Sequence, residues 1–205
     1  MHPRRRDRPA LFVIHIRRGA EGLKALLGEA IDAETALGWG LINQVVDEAA
    51  LHDTAWNLAR RLAALPPEAL RQTKALIQHG KPDLADRMHQ ELDVLGRRFA
   101  TPEAKENALT RAMYDDMAAA FDQADADPAI RAVIVTGTGD AFTSGNDVKD
   151  FQNRSAGNVG SAAANFLRVI STMKTPLVAA VNGMAIGVGT TLLFHCDIVV
   201  LARSA

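Results

Sequence analysis

Apolar residues in the first half of the chain recur at helical spacing. Residues 51–65 carry a stripe of this kind, formed by Leu51, Ala55, Leu58, Ala59, Leu62 and Leu65. The stripe predicts an amphipathic helix that stops at Pro66, because proline cannot donate the N–H that a helix interior needs. Pro67 suits the first turn of a second helix that ends near Gly80, and residues 84–99 predict a third. Upstream, residues 31–40 predict a short helix with Asp32 as N-cap, and residues 41–46 a buried strand.

The second half alternates helices with short apolar runs. The first helix follows a stripe made of Leu109, Met113, Met117 and Phe121. Strands are predicted at 132–136, 176–181 and 198–201, and further helices at 162–173 and 188–194. Continuous apolar strands separated by helices are typical of a parallel sheet covered on both faces. The pattern therefore predicts an α/β fold whose front half is mainly helical.

Composition narrows the possible partners. The 205 residues are 48% apolar and 23% charged, which is ordinary for a soluble globular chain. The net charge of −1 provides no overall field that would attract nucleic acid or an anionic membrane. The run Arg4, Arg5 and Arg6 lacks an aromatic platform for bases, so a solvated tail is predicted there. We expect neither a nucleic-acid partner nor a membrane partner.

The single cysteine and the N-terminus point to a reducing compartment. Cys196 allows no intrachain disulfide, and its apolar surroundings predict a core residue. The neighbours His195 and Asp197 lack the further ligands that a metal needs, so no metal site is predicted. The basic start is followed by a short apolar run, 10–16, without a cleavage pattern, and no window is long enough to cross a bilayer. These features predict a cytoplasmic protein.

Two glycine-rich segments, 139–150 and 178–191, each join a predicted strand to a predicted helix. Helix N-termini leave N–H groups unpaired, and glycine lets a ligand approach the backbone. Two such turns that face one another would form a two-donor oxyanion hole. Either turn alone is equally consistent with an ordinary strand-to-helix connection. The pair Gly187 and Gly189 also lacks the further spacing of a dinucleotide-binding or Walker-type loop.

These segments resemble those of a known family. Residues 141–150, with Ser144-Gly145-Asn146-Asp147 at their centre, closely resemble the first oxyanion segment of the crotonase superfamily, in the form of its Δ3,Δ2-enoyl-CoA isomerase members. Residues 174–189 resemble the second oxyanion segment. Segments 28–33, 36–46 and 65–70, with Lys74, resemble the family's C-terminal half. The resemblance covers about residues 28–205.

The resemblance implies a fold and a division of the chain. The fold would be a crotonase-like ββα spiral core with a mainly helical oligomerisation region. Residues 106–205 would form the core, 28–105 the helical region, and 1–27 an unassigned basic segment. In the family the core-type sequence comes first, so the two blocks stand here in reversed order. Circular permutation, a rearranged gene or an engineered order would each produce it.

The resemblance also implies a site and its substrate. The backbone N–H groups of Asn146 and Val188 would bind a thioester oxygen and stabilise an enolate. Ser144, Gly145, Asn146 and Gly187 would contact coenzyme A, which is part of the substrate, and no separate cofactor is expected. Because main-chain groups carry this chemistry, different side chains are compatible with it at these positions. The partner would be an acyl-CoA thioester, and the assembly a homotrimer or hexamer.

Some positions depart from the family. Thr191 stands where hydratases carry a carboxylate, and a hydroxyl cannot act as a base at neutral pH. The family's other catalytic glutamate belongs to a segment expected after Ala205, without a counterpart here. Glu21 and Glu29 are the nearest candidates for a base, although exposure to solvent is the favoured explanation, since charged side chains are usually surface groups.

Three functions stay open on these residues. The first is an enoyl-CoA isomerase/hydratase-like enzyme, with isomerase activity favoured over hydratase activity. The others are an acyl-CoA-binding pseudoenzyme that lacks the glutamate, and an inactive remnant. Lys74 and Arg71 lie on one predicted helix, where they could meet coenzyme A phosphates or form an ordinary polar face.

Overall fold

The computed structural model describes residues 30–78, 107–147 and 159–205. The helices of these ranges are α1 Ala33–Gly38, α2 Leu51–Ala63, α3 Pro67–Gln78, α4 Arg111–Ala126, α5 Val159–Thr172 and α6 Val188–His195. The strands are β1 Gln44–Val46, β2 Val133–Thr136, β3 Ala141–Thr143, β4 Leu177–Val181, β5 Met184–Ala185 and β6 Ile198–Ala202. The predicted helix at 84–99, the segment 1–27 and the proposed boundary between 105 and 106 lie outside the described residues.

Four strands form a parallel sheet in the order β1-β6-β4-β2. Val178 of β4 pairs with Ile134 of β2 on one side and with Ile198 of β6 on the other. Every residue of β4 is fully buried, which explains why its sequence is apolar without alternation. The predicted parallel, buried sheet is therefore confirmed.

Helices cover both faces of this sheet. Val178, Ala180, Val200 and Ala202 pack with Leu51, Ala55 and Ala59 of α2. The alternate strand residues Leu177, Ala179, Val181, Val199 and Leu201 join a larger core that includes Tyr114 and Phe121 of α4 and Phe166 of α5. Successive strand side chains point to opposite faces, so each face of the sheet packs in a separate hydrophobic core. The front helical block thus packs on the second half of the chain.

Helix α4 differs from its predicted start and face. Thr110 caps it by accepting a 3.3 Å hydrogen bond from the Met113 N–H, which leaves Leu109 outside the helix. The buried face consists of Tyr114, Ala118, Phe121 and Ala124, whereas Met113 is exposed. Residues four apart rotate by about 40° around a helix, so the predicted stripe drifts off one face over three steps. The prediction that the helix includes Leu109 was wrong, and Met113 lies within the helix but not on its buried face.

The strand predicted at 41–46 is shorter and less buried than expected. Only Gln44–Val46 forms β1, at the edge of the sheet, with Gln44 exposed. Just before it, the Asn43 N–H donates to the Val199 carbonyl at 3.0 Å, and Asn43 Oδ1 accepts from the Val199 N–H at 2.7 Å. The Asn43 side chain thereby takes the place of a main-chain acceptor, and the regular ladder starts after it.

A buried ion pair joins the front block to the sheet. Lys74 of α3 is only 5% exposed and donates to Asp197 Oδ2 at 2.8 Å and to the Thr175 carbonyl at 3.0 Å. The same carboxylate oxygen accepts from the Leu177 N–H at 2.8 Å, at the start of β4. Lys74 is therefore a structural cation inside the fold. Both interpretations of Lys74 from the sequence, as a phosphate ligand or as part of a polar face, are corrected.

Replacing Lys74 by methionine should cost about 3 kcal/mol of unfolding free energy, because it leaves the Asp197 carboxylate without its cation. Asp197 is 26% exposed, so water recovers part of that loss. Urea unfolding would measure the net loss of unfolding free energy. Arg71→Met, one turn earlier on the same helix at a less buried position, is the matched control and should change little. Equal unfolding midpoints for Lys74→Met and the unaltered protein would contradict the role given to this pair.

Candidate functional site

The first turn follows β3 and is held by the side chain of its last residue. Thr143 is buried, and its hydroxyl donates to the Asn107 carbonyl at 2.7 Å while accepting from the Gly145 N–H at 3.1 Å. Gly145 has φ of 89°, a left-handed conformation that glycine adopts without strain. Ser144 lies between them and is also buried. The Thr143 side chain and the conformation of Gly145 therefore fix this turn within three residues.

Asn146 is bridged to the residue that precedes the cap of α4. The Leu109 N–H donates to the Gly145 carbonyl at 2.7 Å, and the Asp147 N–H donates to the Leu109 carbonyl at 3.0 Å. In a parallel bridge, one residue bonds to the neighbours on either side of its partner. The N–H of Asn146 consequently points away from Leu109, and its direction is set by two flanking hydrogen bonds.

The second turn leads from β5 into α6. Gly187 is the N-cap, with φ of 56°, and Val188 is the first helical residue, 3% exposed. The Gly189 N–H bonds to the Ile186 carbonyl at 2.9 Å, and the Thr191 N–H bonds to the Gly187 carbonyl at 3.0 Å. The N–H of Val188 lies in the first turn, where a helix has no carbonyl four residues back to receive it.

The two turns lie against each other. Strands β3 and β5 pair in parallel, with Thr143 opposite Ala185, and the Ile186 N–H donates to the Thr143 carbonyl at 2.9 Å. A Cβ added at Gly145 would lie 3.1 Å from the Ile186 carbonyl oxygen, so the backbones approach closely just beyond the paired strands. The structure thus places the turn that contains Ser144, Gly145 and Asn146 against the turn that contains Gly187 and Val188.

Glycine makes this approach possible at further points. A Cβ at Gly189 would lie 2.3 Å from Cγ2 of Thr143, and one at Gly183 would lie 1.9 Å from the Asp140 carbonyl oxygen. Both distances are too short for any heavier residue without movement of the neighbour. The glycines of the second segment therefore serve the contact between turns, in addition to exposing backbone N–H groups.

Two asparagines, which the sequence did not single out, fix the loop before β3. Asn182 Oδ1 accepts from the Gly137 N–H at 3.0 Å, and its Nδ2 donates to the Gly139 carbonyl at 2.6 Å. Asn107 Nδ2 donates to the Ala141 carbonyl at 2.7 Å. Asparagine suits this work because one side chain offers both a donor and an acceptor.

Tyr114 is another residue that the sequence analysis missed. Its side chain is buried, and its hydroxyl donates to Oδ1 of Asn146. Burial raises the pKa of Tyr114 above its usual range, so the phenol keeps its proton at neutral pH. No sequence signal could have found it, because the contact joins two residues 32 positions apart.

The remaining candidate residues are either held within the fold or located outside the described residues. Thr191 donates its hydroxyl to the Gly187 carbonyl at 3.3 Å, inside α6. Cys196 packs against the main core, and burial raises the pKa of its thiol to about 12, so it carries no thiolate at neutral pH. Glu21 and Glu29 lie outside the described residues. Within the described ranges, no group of three His, Cys, Asp or Glu side chains is placed to hold a metal ion.

Replacing Gly189 by alanine should push the two turns apart, because the new methyl group meets the Thr143 Cγ2. We expect a loss of about 1–3 kcal/mol in unfolding free energy, as for other overpacked sites. Thr143→Ser removes that methyl group and keeps the hydroxyl that bonds to Asn107 and Gly145. The double variant should therefore recover most of the stability.

Urea unfolding of both single variants and of the double variant measures the coupling between the two positions. Thr143→Ser alone supplies the cost of the lost methyl group, about 1 kcal/mol. Strictly additive losses in the double variant would show that Gly189 and Thr143 do not contact each other as described.

Comparison with known proteins identifies the family of this chain. A family model described as enoyl-CoA hydratase/isomerase matches residues 18–106 and 98–205. A probable peroxisomal enoyl-CoA hydratase of Arabidopsis thaliana is 37% identical over 99 residues, 48% of this chain and 37% of that protein. Enoyl-CoA delta isomerase 2 of Rattus norvegicus is 38% identical over 102 residues, 47% of this chain and 26% of that protein.

A solved structure, that of Pseudomonas aeruginosa OdaA, is 52% identical over 45% of this chain and 38% of that chain, with a TM-score of 0.42. The matched part thus spans less than half of each of these proteins. In the described part of the chain, no helix is long and apolar enough to cross a membrane. Because the family model matches both blocks, the chain belongs to the enoyl-CoA hydratase/isomerase family, the crotonase superfamily that its two glycine-rich turns predict.

Proposed function

We propose that this protein binds an acyl-CoA thioester and stabilises its enolate through the backbone N–H groups of Asn146 and Val188. Ser144, Gly145 and Gly187 contact the coenzyme A part of the substrate in this proposal. The observation that carries it is the contact between the two turns, made by the Ile186 N–H on the Thr143 carbonyl at 2.9 Å. Two separate N–H donors can act on one oxygen only if their turns lie side by side.

The chemistry suits main-chain donors. Removing a proton next to a thioester carbonyl moves negative charge onto the carbonyl oxygen. A preorganised N–H aimed at that oxygen can contribute about 3–4 kcal/mol of transition-state stabilisation. The Val188 N–H has the additional advantage of the positive end of the α6 dipole. Both donors are main-chain groups, so every residue except proline supplies the N–H at these positions.

Isomerase chemistry is the reaction class that we favour. Moving a double bond needs one base that carries a proton between two carbons, whereas hydration also needs a group that activates water. Thr191 occupies the position of one hydratase carboxylate, and its hydroxyl is bound to the Gly187 carbonyl. The same observation favours, as a second candidate, a binding protein that polarises the thioester without turning it over.

The donor at Val188 can be tested by removing its N–H. Val188→Pro eliminates that hydrogen, and proline is tolerated in the first turn of a helix. Val188→Ala is the matched control, since it shortens the side chain and keeps the N–H. The measurement is the infrared stretch of a carbon-13-labelled thioester carbonyl in a short-chain 3-enoyl-CoA, together with its turnover. A hydrogen bond to the carbonyl lowers this frequency.

We expect the unaltered protein and Val188→Ala to lower the carbonyl frequency, and Val188→Pro to lose most of that shift. Turnover, where present, should fall by about 10²–10³-fold in the proline variant. Thermal melting verifies that both variants are folded. A folded Val188→Pro with the full shift, or no binding of acyl-CoA at millimolar concentration, would refute the proposal. A full shift without turnover would identify the binding protein.

We further propose a cytoplasmic homotrimer or hexamer without a resident cofactor. Leu76 and Ile77 of α3 are 75% and 70% exposed, and Trp56 of α2 is 55% exposed, which supports contact with another copy. Light scattering should therefore give a mass of three or six chains, and Leu76→Lys with Ile77→Lys should lower it. A stable monomer in the unaltered protein would contradict the assembly.

A further inference from the structure

Asn146 is anchored by its side chain as well as by its main chain. The Tyr114 hydroxyl donates to Oδ1 of Asn146. Tyr114 is 4% exposed, and its ring packs against Phe166, with the centroids 5.5 Å apart. Phe166 is fully buried, so the donor is held by the α4–α5 core and has little freedom to move.

Both anchors come from one short segment of the chain. Leu109 bonds to the peptide groups on either side of Asn146, and Tyr114 follows in the first turn of α4, where its N–H bonds to the Thr110 carbonyl at 3.1 Å. The main-chain anchor fixes the peptides next to Asn146, and the side-chain anchor fixes the direction of its Cα–Cβ bond. Together they determine where the Asn146 N–H points.

We propose that Tyr114 is a positioning residue that aims the Asn146 N–H at the thioester oxygen of the substrate. This inference rests on the proposed function, in which that N–H is a donor of the oxyanion hole. Tyr114 acts through the Asn146 side chain and need not touch the substrate. The side chain at position 146 thus has a role that main-chain chemistry alone does not give it.

Tyr114 would matter because the stabilisation of an enolate is sensitive to the position of its N–H donors. Asn146 is only partly buried, so without Tyr114 its amide oxygen can turn to water. The turn would then keep its fold and lose one of the restraints on the N–H. A misplacement of about 1 Å in a catalytic group can cost up to about 10²-fold in rate. Affinity depends mainly on the coenzyme A contacts and should change less.

The test compares Tyr114→Phe, Asn146→Ala and the double variant by the infrared shift of the bound, carbon-13-labelled thioester carbonyl. Tyr114→Phe keeps the ring and removes only the hydroxyl. Asn146→Ala keeps the N–H and removes the acceptor. Phe121→Leu is the control, because Phe121 lies on α4 and stacks on Phe166 at 6.0 Å, away from Asn146. It loosens the same core without removing the anchor.

We expect Tyr114→Phe, Asn146→Ala and the double variant to lose the same part of the shift while still binding acyl-CoA, with about tenfold lower turnover where turnover is present. Equal losses in single and double variants mean that Tyr114 acts through the Asn146 side chain. Phe121→Leu should keep the full shift, even if it melts at a lower temperature.

Three results would overturn this role. They are a full shift in Tyr114→Phe, losses that add in the double variant, and a Phe121→Leu loss as large as that of Tyr114→Phe. Failure of the proposed function looks different, because the unaltered protein would then show no shift at all, or Val188→Pro would keep it. That outcome would overturn the positioning role of Tyr114 together with the proposed function.

Discussion

The parallel pairing of β2 with β4 places the two glycine-rich turns at one edge of the sheet. Thr136, at the end of β2, lies opposite Ala180 near the end of β4. Parallel strands end at the same edge, so the segments that follow them leave the sheet side by side. Each segment then forms one more short strand, β3 and β5, and these pair again through Thr143 and Ala185. The contact between the two turns is therefore a continuation of the sheet's own geometry.

The sheet also holds the front block to the rest of the chain through contacts between residues far apart in the sequence. β1, from the front of the chain, pairs with β6, near its end, and Lys74 meets Asp197 across 123 positions. Arg131 donates to the Leu65 carbonyl at 2.6 Å and forms another connection of this kind. Each of these contacts joins residues that are distant in the sequence and adjacent in the folded chain. The front block, which has three α-helices and one strand in its described part, docks on the sheet through these contacts.

Elements that depend on burial could be predicted from the sequence, and elements that depend on distant contacts could not. The apolar run 176–181 predicted a central strand because β4 is buried on both faces. β3 and β5 have three and two residues, too few for any periodicity to appear. Leu109 was assigned to a helix because its apolar side chain fits the stripe, but the capping hydroxyl of Thr110 decides the boundary.

The candidate site shows the same division. The glycine-rich pattern indicated the two segments, because positive φ is a local property of the chain, and the resemblance to the crotonase superfamily then named Gly145, Gly187 and Val188 within them. Tyr114 and the partner of Lys74 are tertiary contacts, and nothing in the neighbouring sequence indicates them. A site built from main-chain donors needs such contacts more than most, since a peptide N–H cannot reorient without moving the chain. In the proposed site, the side chain that would aim the Asn146 N–H therefore lies outside the motif, on the helix α4.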